Sequence, residues 1–217
     1  RQRPSPATAR PAPARRTKNL EMPKSSIKSI CVYCGSSSRG APGHLQAAER
    51  LGAQLGKRGI TLVYGGGMIG LMGIVADATL QAGGQVIGVI PKHLDDLEVG
   101  HRGVTQLIVS KSMHERKETM FQLADAFAVL PGGYGTLDEF FEILTWRQLA
   151  LHDKPVILVD IDDYWKPLTG LLDHIVIENY AKPETRRLYE VVDGIDGLFE
   201  ALEKAPPPKV APKDKLI

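Results

Sequence analysis

The run Pro131-Gly132-Gly133-Tyr134-Gly135-Thr136-Leu137-Asp138-Glu139 holds residue types suited to chemistry on a phosphorylated substrate. Its glycines let backbone approach a bound group closely. Pro131 ends the preceding strand, and Thr136 is placed to cap the helix that follows. Amide N–H groups gathered at a helix start attract an anion, and the helix dipole adds to the attraction. The lysine of a Walker loop is missing, so a sugar phosphate suits the loop better than a nucleoside triphosphate awaiting hydrolysis. Glu139 falls in the first turn of the expected helix, and Glu142 and Thr145 follow at three-residue steps along one broad side. Acids at a helix start often do no more than complement the dipole. Two of them beside an anion cleft would repel phosphate unless they had cationic partners. Met113-His114-Glu115-Arg116-Lys117 supplies candidates: Arg116 and Lys117 open the preceding helix and can pair with Glu139, hold substrate, or form a solvated helix face.

A second glycine loop, Gly65-Gly66-Gly67-Met68-Ile69-Gly70, formally matches a dinucleotide fingerprint. The strand after it ends Val89-Ile90-Pro91, without the acid that would hold ribose hydroxyls, so NAD is not expected. Phosphate binding and a plain tight turn both stay open for this loop. Cys31 and Cys34 form a lone C-x-x-C on a strand running into a loop, which suits buried or loop thiols rather than zinc or thioredoxin-type redox chemistry. His44, His93, His101, His152 and His174 are scattered and suggest no metal site. Trp146 and Leu149 read as packing or dimer contacts rather than substrate stackers.

These groups need a frame, and hydrophobic periodicity supplies one. Strands are expected at Ile27–Tyr33, Ile60–Tyr64, Gln85–Ile90, Val104–Val109, Ala126–Leu130, Val156–Asp160 and, briefly, Tyr189–Val192. Helices are expected at Leu45–Lys57, stopped by Arg58-Gly59, and near Leu71–Ala82. Others follow at Ser112–Ala124, opened by a Ser112/Glu115 capping box, at Leu137–Ala150, and near Trp165–Glu178 and Gly197–Glu203. Such alternation predicts a single α/β domain over residues 27–204, a Rossmann-like doubly wound, mostly parallel sheet with helices on both faces. Ligands then bind beyond the carboxyl ends of the strands, between the two glycine loops.

Of 217 residues, 43% are apolar and 24% charged, an ordinary globular balance. Residues 1–26 carry a balance of +6 against +2 for the whole chain, which leaves the remainder at −4. A mildly acidic body is a poor nucleic-acid surface. Residues 1–26, basic and rich in Pro and Ala, are expected to be disordered, as are residues 205–217. The first stretch lacks the apolar core of a secretory signal; a transit peptide and an extension upstream of a start at Met22 both stay open. No run is long and apolar enough to cross a bilayer, and reduced cysteines would suit the cytoplasm.

Together these residues resemble the LONELY GUY (LOG) family, long labelled possible lysine decarboxylases. The hallmark P-G-G-x-G-T-x-x-E is complete at 131–139, and M-H-x-R-K is complete at 113–117. Cys34-Gly35-Ser36-Ser37 and the run from Tyr64 to Gly73 look like its other signature loops. The resemblance spans roughly Ile27 to Leu202. It implies a phosphoribohydrolase, which frees a cytokinin base and ribose 5-phosphate from an N6-modified adenosine 5′-monophosphate without a cofactor. It implies substrate contacts at Arg116, Lys117, the Gly133–Glu139 loop, Thr145 and Glu98, an essential pair of Arg116 and Glu139, and a homodimer with a shared cleft. Gly132 and Glu142 join the substrate-binding candidates from the reading of the loop and helix. Breaking an N-glycosidic bond builds positive charge on the sugar, which a carboxylate can stabilise; Glu139 would act as nucleophile or base. Lysine decarboxylation would need an electron-sink cofactor held by a lysine, and none follows either glycine loop suitably. A non-catalytic nucleotide-binding or carrier protein of the same fold is the alternative. A nucleic-acid module built on the basic tail is a third reading.

Overall fold

The computed structural model describes residues 27–97 and 99–206. The expectations for residues 1–26, for Glu98 and for most of 205–217 fall outside the described residues. Seven strands form one sheet: β1 (Ser29–Tyr33), β2 (Thr61–Tyr64), β3 (Val86–Pro91), β4 (Gln106–Ser110), β5 (Ala126–Val129), β6 (Val156–Asp160) and β7 (Glu190–Asp193). Their order is β4-β3-β2-β1-β5-β6-β7, and every neighbouring pair is parallel. The chain therefore winds outward from β1 to β4, returns to the other side of β1, and winds outward again to β7. The connections after β1 and β5 run on to opposite sides of the sheet, which places a crevice at that switch point.

Helices cover both faces, so the central strands are apolar throughout rather than alternating. Even-numbered Ile30 and Val32 of β1 pack with α1 (Pro42–Arg58), α2 (Leu71–Gln81) and α7 (Gly194–Lys204) through Leu51, Leu55, Val75 and Leu198. Odd-numbered Cys31 and Tyr33 pack with α4 (Met113–Leu123), α5 (Tyr134–Gln148) and α6 (Lys166–Ile177) through Met120, Phe140, Leu144 and Leu168. Gly59 ends α1 in the left-handed conformation that the sequence called for there. Ser112 accepts from the Glu115 N–H at 3.1 Å, as the capping box requires. The Glu115 carboxylate accepts from the Lys111 N–H at 2.6 Å, one residue ahead of the N-cap N–H that a capping box would use.

Two short elements escaped the sequence reading: α3 (Lys92–Asp95) and a 3-10 turn at Pro183–Arg187. One boundary matters more. α5 begins at Tyr134, not Leu137, and its N-cap is Gly133, with no side-chain capping bond. Thr136 is therefore a buried residue of the first turn rather than a cap, and Glu139 lies in the second turn.

Candidate active site

The loops after β1 and β5 meet edge to edge: the Gly35 N–H donates to the Pro131 carbonyl at 3.0 Å. The Leu71 N–H, at the start of α2, donates to the Gly35 carbonyl at 3.0 Å. Contact this close leaves no room at Gly132, where a Cβ would run into the Thr136 hydroxyl and the Gly35 amide. Beyond these loops lies a cavity of about 540 Å³, within the usual range for small-molecule sites.

One end of the cavity is the start of α5, lined by Gly133, Tyr134, Gly135 and Thr136. The first turn of a helix leaves amide N–H groups without intrahelical acceptors, and no acid in that turn opposes an anion. An apolar part of the lining is formed by Ile69, Met72, Ile90, Leu94 and Val99. Glu139 and Arg116 line the cavity as well, and pair through Oε1 and Nη1 at 2.7 Å with side chains only 8% and 10% exposed. The Arg116 Nε donates to the Val89 carbonyl at 3.1 Å, so the guanidinium is fixed from two directions. Gly65 makes space for its third nitrogen, because a Cβ there would overlap Nη2. Burial pushes the Glu139 carboxyl above its ordinary pKa, and the Arg116 charge and hydrogen bond oppose that rise.

The remaining candidates lie elsewhere. Lys117 is buried and does not line the cavity; it bridges α4 to α5 by ion pairs to Asp138 and Glu142, each at 3.1 Å. Burial lowers its pKa, but bonds to the two carboxylates outweigh that and hold it above the usual lysine value. Glu142 thus faces Lys117 rather than the cavity. Thr145 is exposed, bonded to the Phe141 carbonyl at 2.7 Å, and lines a groove between α5 and α6. The shared side expected for Glu139, Glu142 and Thr145 does not hold, because each three-residue step falls about 60° short of a full turn, and two steps carry Thr145 out of the site. Trp146 packs edge-on against Phe121, with ring centroids 5.0 Å apart.

Sequence reasoning left out Asp138 as the partner of Lys117, and the apolar wall. The wall draws on two loops, the end of β3 and the helices α2 and α3, with no shared spacing, so no sequence signal could group them. Cys34 also lines the cavity, and Cys31 is buried; burial pushes both thiols up, and Glu139 pushes them further. Among the described residues, no three His, Cys, Asp or Glu side chains cluster as a metal would need. Among the described residues no lysine lines the cavity, where a pyridoxal-type decarboxylase would need one as Schiff-base anchor.

The family model described as "Possible lysine decarboxylase" matches residues 72–202. A cytokinin riboside 5′-monophosphate phosphoribohydrolase of Rhodococcoides fascians is 41% identical over 92% of this chain and 97% of its own. The corresponding enzyme LOG of rice, Oryza sativa subsp. japonica, is 47% identical over 76% of this chain and 68% of its own. Among solved structures, a molybdenum cofactor binding protein from Rippkaea orientalis superposes with a TM-score of 0.62 at 22% identity, covering 81% of this chain and 94% of that one. That likeness is one of fold.

Proposed function

We infer that this chain, which belongs to the LONELY GUY (LOG) family described as possible lysine decarboxylases, hydrolyses the N-glycosidic bond of an adenosine 5′-monophosphate, N6-modified or plain, to the free base and ribose 5-phosphate. The observation that carries the reading is the buried Arg116–Glu139 pair, which joins α5 to the end of β3 and lines the same cavity as an anion-attracting helix start and a set of apolar side chains. A nucleotide has a part to match each. Its phosphate would lie on the α5 amides, its base against Met72 and Ile90, and its sugar beside Glu139.

In the reaction the bond from the anomeric carbon to the base nitrogen breaks, the base leaves with that electron pair and takes a proton, and water supplies the new oxygen on the sugar. Positive charge that builds on the sugar is met by the Glu139 carboxylate, as nucleophile or as base toward water. Arg116 favours the charged form of that carboxylate against its burial, and its rigid fork, tied to Val89, aims it. Phosphate binding far from the reacting bond would position the sugar, so a nucleoside should react poorly.

We further assign a homodimer with a shared cleft. Support comes from Thr145, which lines an exposed groove apart from the cavity, so that the substrate contact the resemblance implies for it would come from a second copy, and from exposed Leu149, Leu171, Ile177 and Tyr180 on and beside α5 and α6. No helix among the described residues is long and apolar enough to cross a membrane, and Cys31 and Cys34 are free thiols, which suits the cytoplasm.

The test is to incubate the purified protein with N6-isopentenyl-AMP and with AMP, and to measure base and ribose 5-phosphate in equal amounts. Tight nucleotide binding without base release would favour a carrier instead.

A further inference from the structure

We propose that the Tyr164 hydroxyl positions the phosphate-binding loop by holding the Gly132 carbonyl away from the space the anion occupies. The proposal rests on the nucleotide reading above and adds a residue that sets the loop's polarity.

The observation is where the carbonyl oxygens go between the end of β5 and the start of α5. An oxygen turned toward a phosphate would repel it, while an N–H in its place attracts it. The Val129 oxygen accepts from the Trp165 indole at 3.3 Å. The Pro131 oxygen accepts from the Gly35 N–H, and the Gly133 oxygen from the Leu137 N–H, both at 3.0 Å. The Gly132 oxygen accepts from the Tyr164 hydroxyl at 2.7 Å. Two of these contacts are backbone, and the indole is buried. Only the Gly132 contact depends on a hydroxyl from a half-exposed side chain.

That contact falls on the peptide most in need of one. Gly132 and Gly133 are consecutive, and a Cβ on Gly133 would meet nothing within 4 Å. Gly132 is packed against Thr136 and Gly35, but the open space at Gly133 and the lack of a side chain there leave the plane between them room to turn from that side. The peptide is trans, so fixing its oxygen toward Tyr164 turns the Gly133 N–H the opposite way. Gly133 lines the cavity and Tyr164 does not. The hydroxyl therefore acts through Gly132 rather than on substrate, which makes Tyr164 a positioning residue.

The surroundings hold the ring in place. Asp162 and Asp163 lead into Tyr164 with φ of 54° and 61°, a left-handed turn that L residues adopt at a cost and that persists where the surroundings enforce it. The ring then meets His44 and Trp165 edge-on, with centroids 5.2 Å and 4.8 Å away.

Tyr164→Phe keeps both ring contacts and removes only the hydroxyl. Losing one neutral hydrogen bond should raise KM for N6-isopentenyl-AMP, and the Kd of ribose 5-phosphate measured by calorimetry, about five- to tenfold. The thermal midpoint, kcat and turnover of the nucleoside without phosphate should stay near wild type. Unchanged Kd for ribose 5-phosphate would overturn the proposal, as would a loss shared equally by kcat and by the nucleoside. If wild-type protein released no base, the hydrolase reading would fall, and ribose 5-phosphate affinity in the two proteins would still decide the role of Tyr164.

Discussion

Arg116→Met removes the cation that faces Glu139 while keeping most of its aliphatic volume. The pair closes at 2.7 Å between side chains 10% and 8% exposed. With charge centres about 4 Å apart and an effective dielectric near 20, their attraction is about 4 kcal/mol. Removing one member of a buried pair typically costs about 3–5 kcal/mol, so a loss of about 3 kcal/mol is expected at neutral pH once water entering from the cavity is allowed for. The loss carries a pH signature. Burial already raises the Glu139 carboxyl, and Arg116 is the main opposing influence, so the variant's carboxyl rises further. A carboxyl raised in the folded state is tolerated below its unfolded value and costs stability as pH climbs through the folded value. Arg116→Met should therefore approach wild type near pH 4.5, the ordinary glutamate value, and fall away from it toward neutrality. Urea unfolding of wild type, Arg116→Met, Glu139→Gln and the double variant across this range is the assay. The coupling energy at neutral pH should be about 3 kcal/mol, and Glu139→Gln should abolish the pH dependence of the Arg116 deficit. A coupling below about 0.5 kcal/mol, within the scatter of independent sites, would refute this view of the pair, as would a deficit equal at every pH.

Further outcomes follow from the same geometry. Glu139→Gln should still fold, though less stably because Arg116 loses its partner, and lose base release by about a hundredfold or more, measured as free base under saturating substrate. Gly65→Ala should displace the Arg116 fork and lower kcat at least about tenfold, since overpacking costs about 1–3 kcal/mol, while Gly59→Ala, outside the site, should leave kcat unchanged. Away from the site, burial holds the His152 imidazole at about pH 4, and its Nε2 donates to the Ile143 carbonyl at 2.8 Å. A depressed histidine contributes stability above its unfolded value of 6.5 and loses it as pH falls toward 4. About 3 kcal/mol should disappear over that window. His152→Gln, which can still donate to Ile143, should flatten the slope; an unchanged acid melting profile would discount His152.

Much of this arrangement was legible in the sequence, for physical reasons that also mark where legibility ended. Buried parallel strands are short apolar runs between glycines and prolines, so Val156–Asp160 was read to the residue and Ile60–Tyr64 to within one. Strand-helix alternation gave the doubly wound class, and the two glycine loops pointed to the crevice at the switch point. The start of α5 was hidden because Gly133-Tyr134-Gly135 looks like loop, although a helix start tolerates glycine where amides are left unpaired. Three-residue spacing grouped Glu142 and Thr145 with Glu139, but the helical drift and the pull of Lys117 separate them. The apolar wall and Tyr164 reach the site through tertiary folding alone: Tyr164 lies 32 residues from Gly132, and no local spacing relates them.

A crystal of the Glu139→Gln variant soaked with N6-isopentenyl-AMP would place the reacting atoms directly. The phosphate is expected on the first-turn amides of α5, and the anomeric carbon about 3–3.5 Å from the residue 139 side chain, the distance of a near-attack arrangement. Phosphate bound elsewhere, or an anomeric carbon out of reach of residue 139 in every subunit, would contradict hydrolysis at this site.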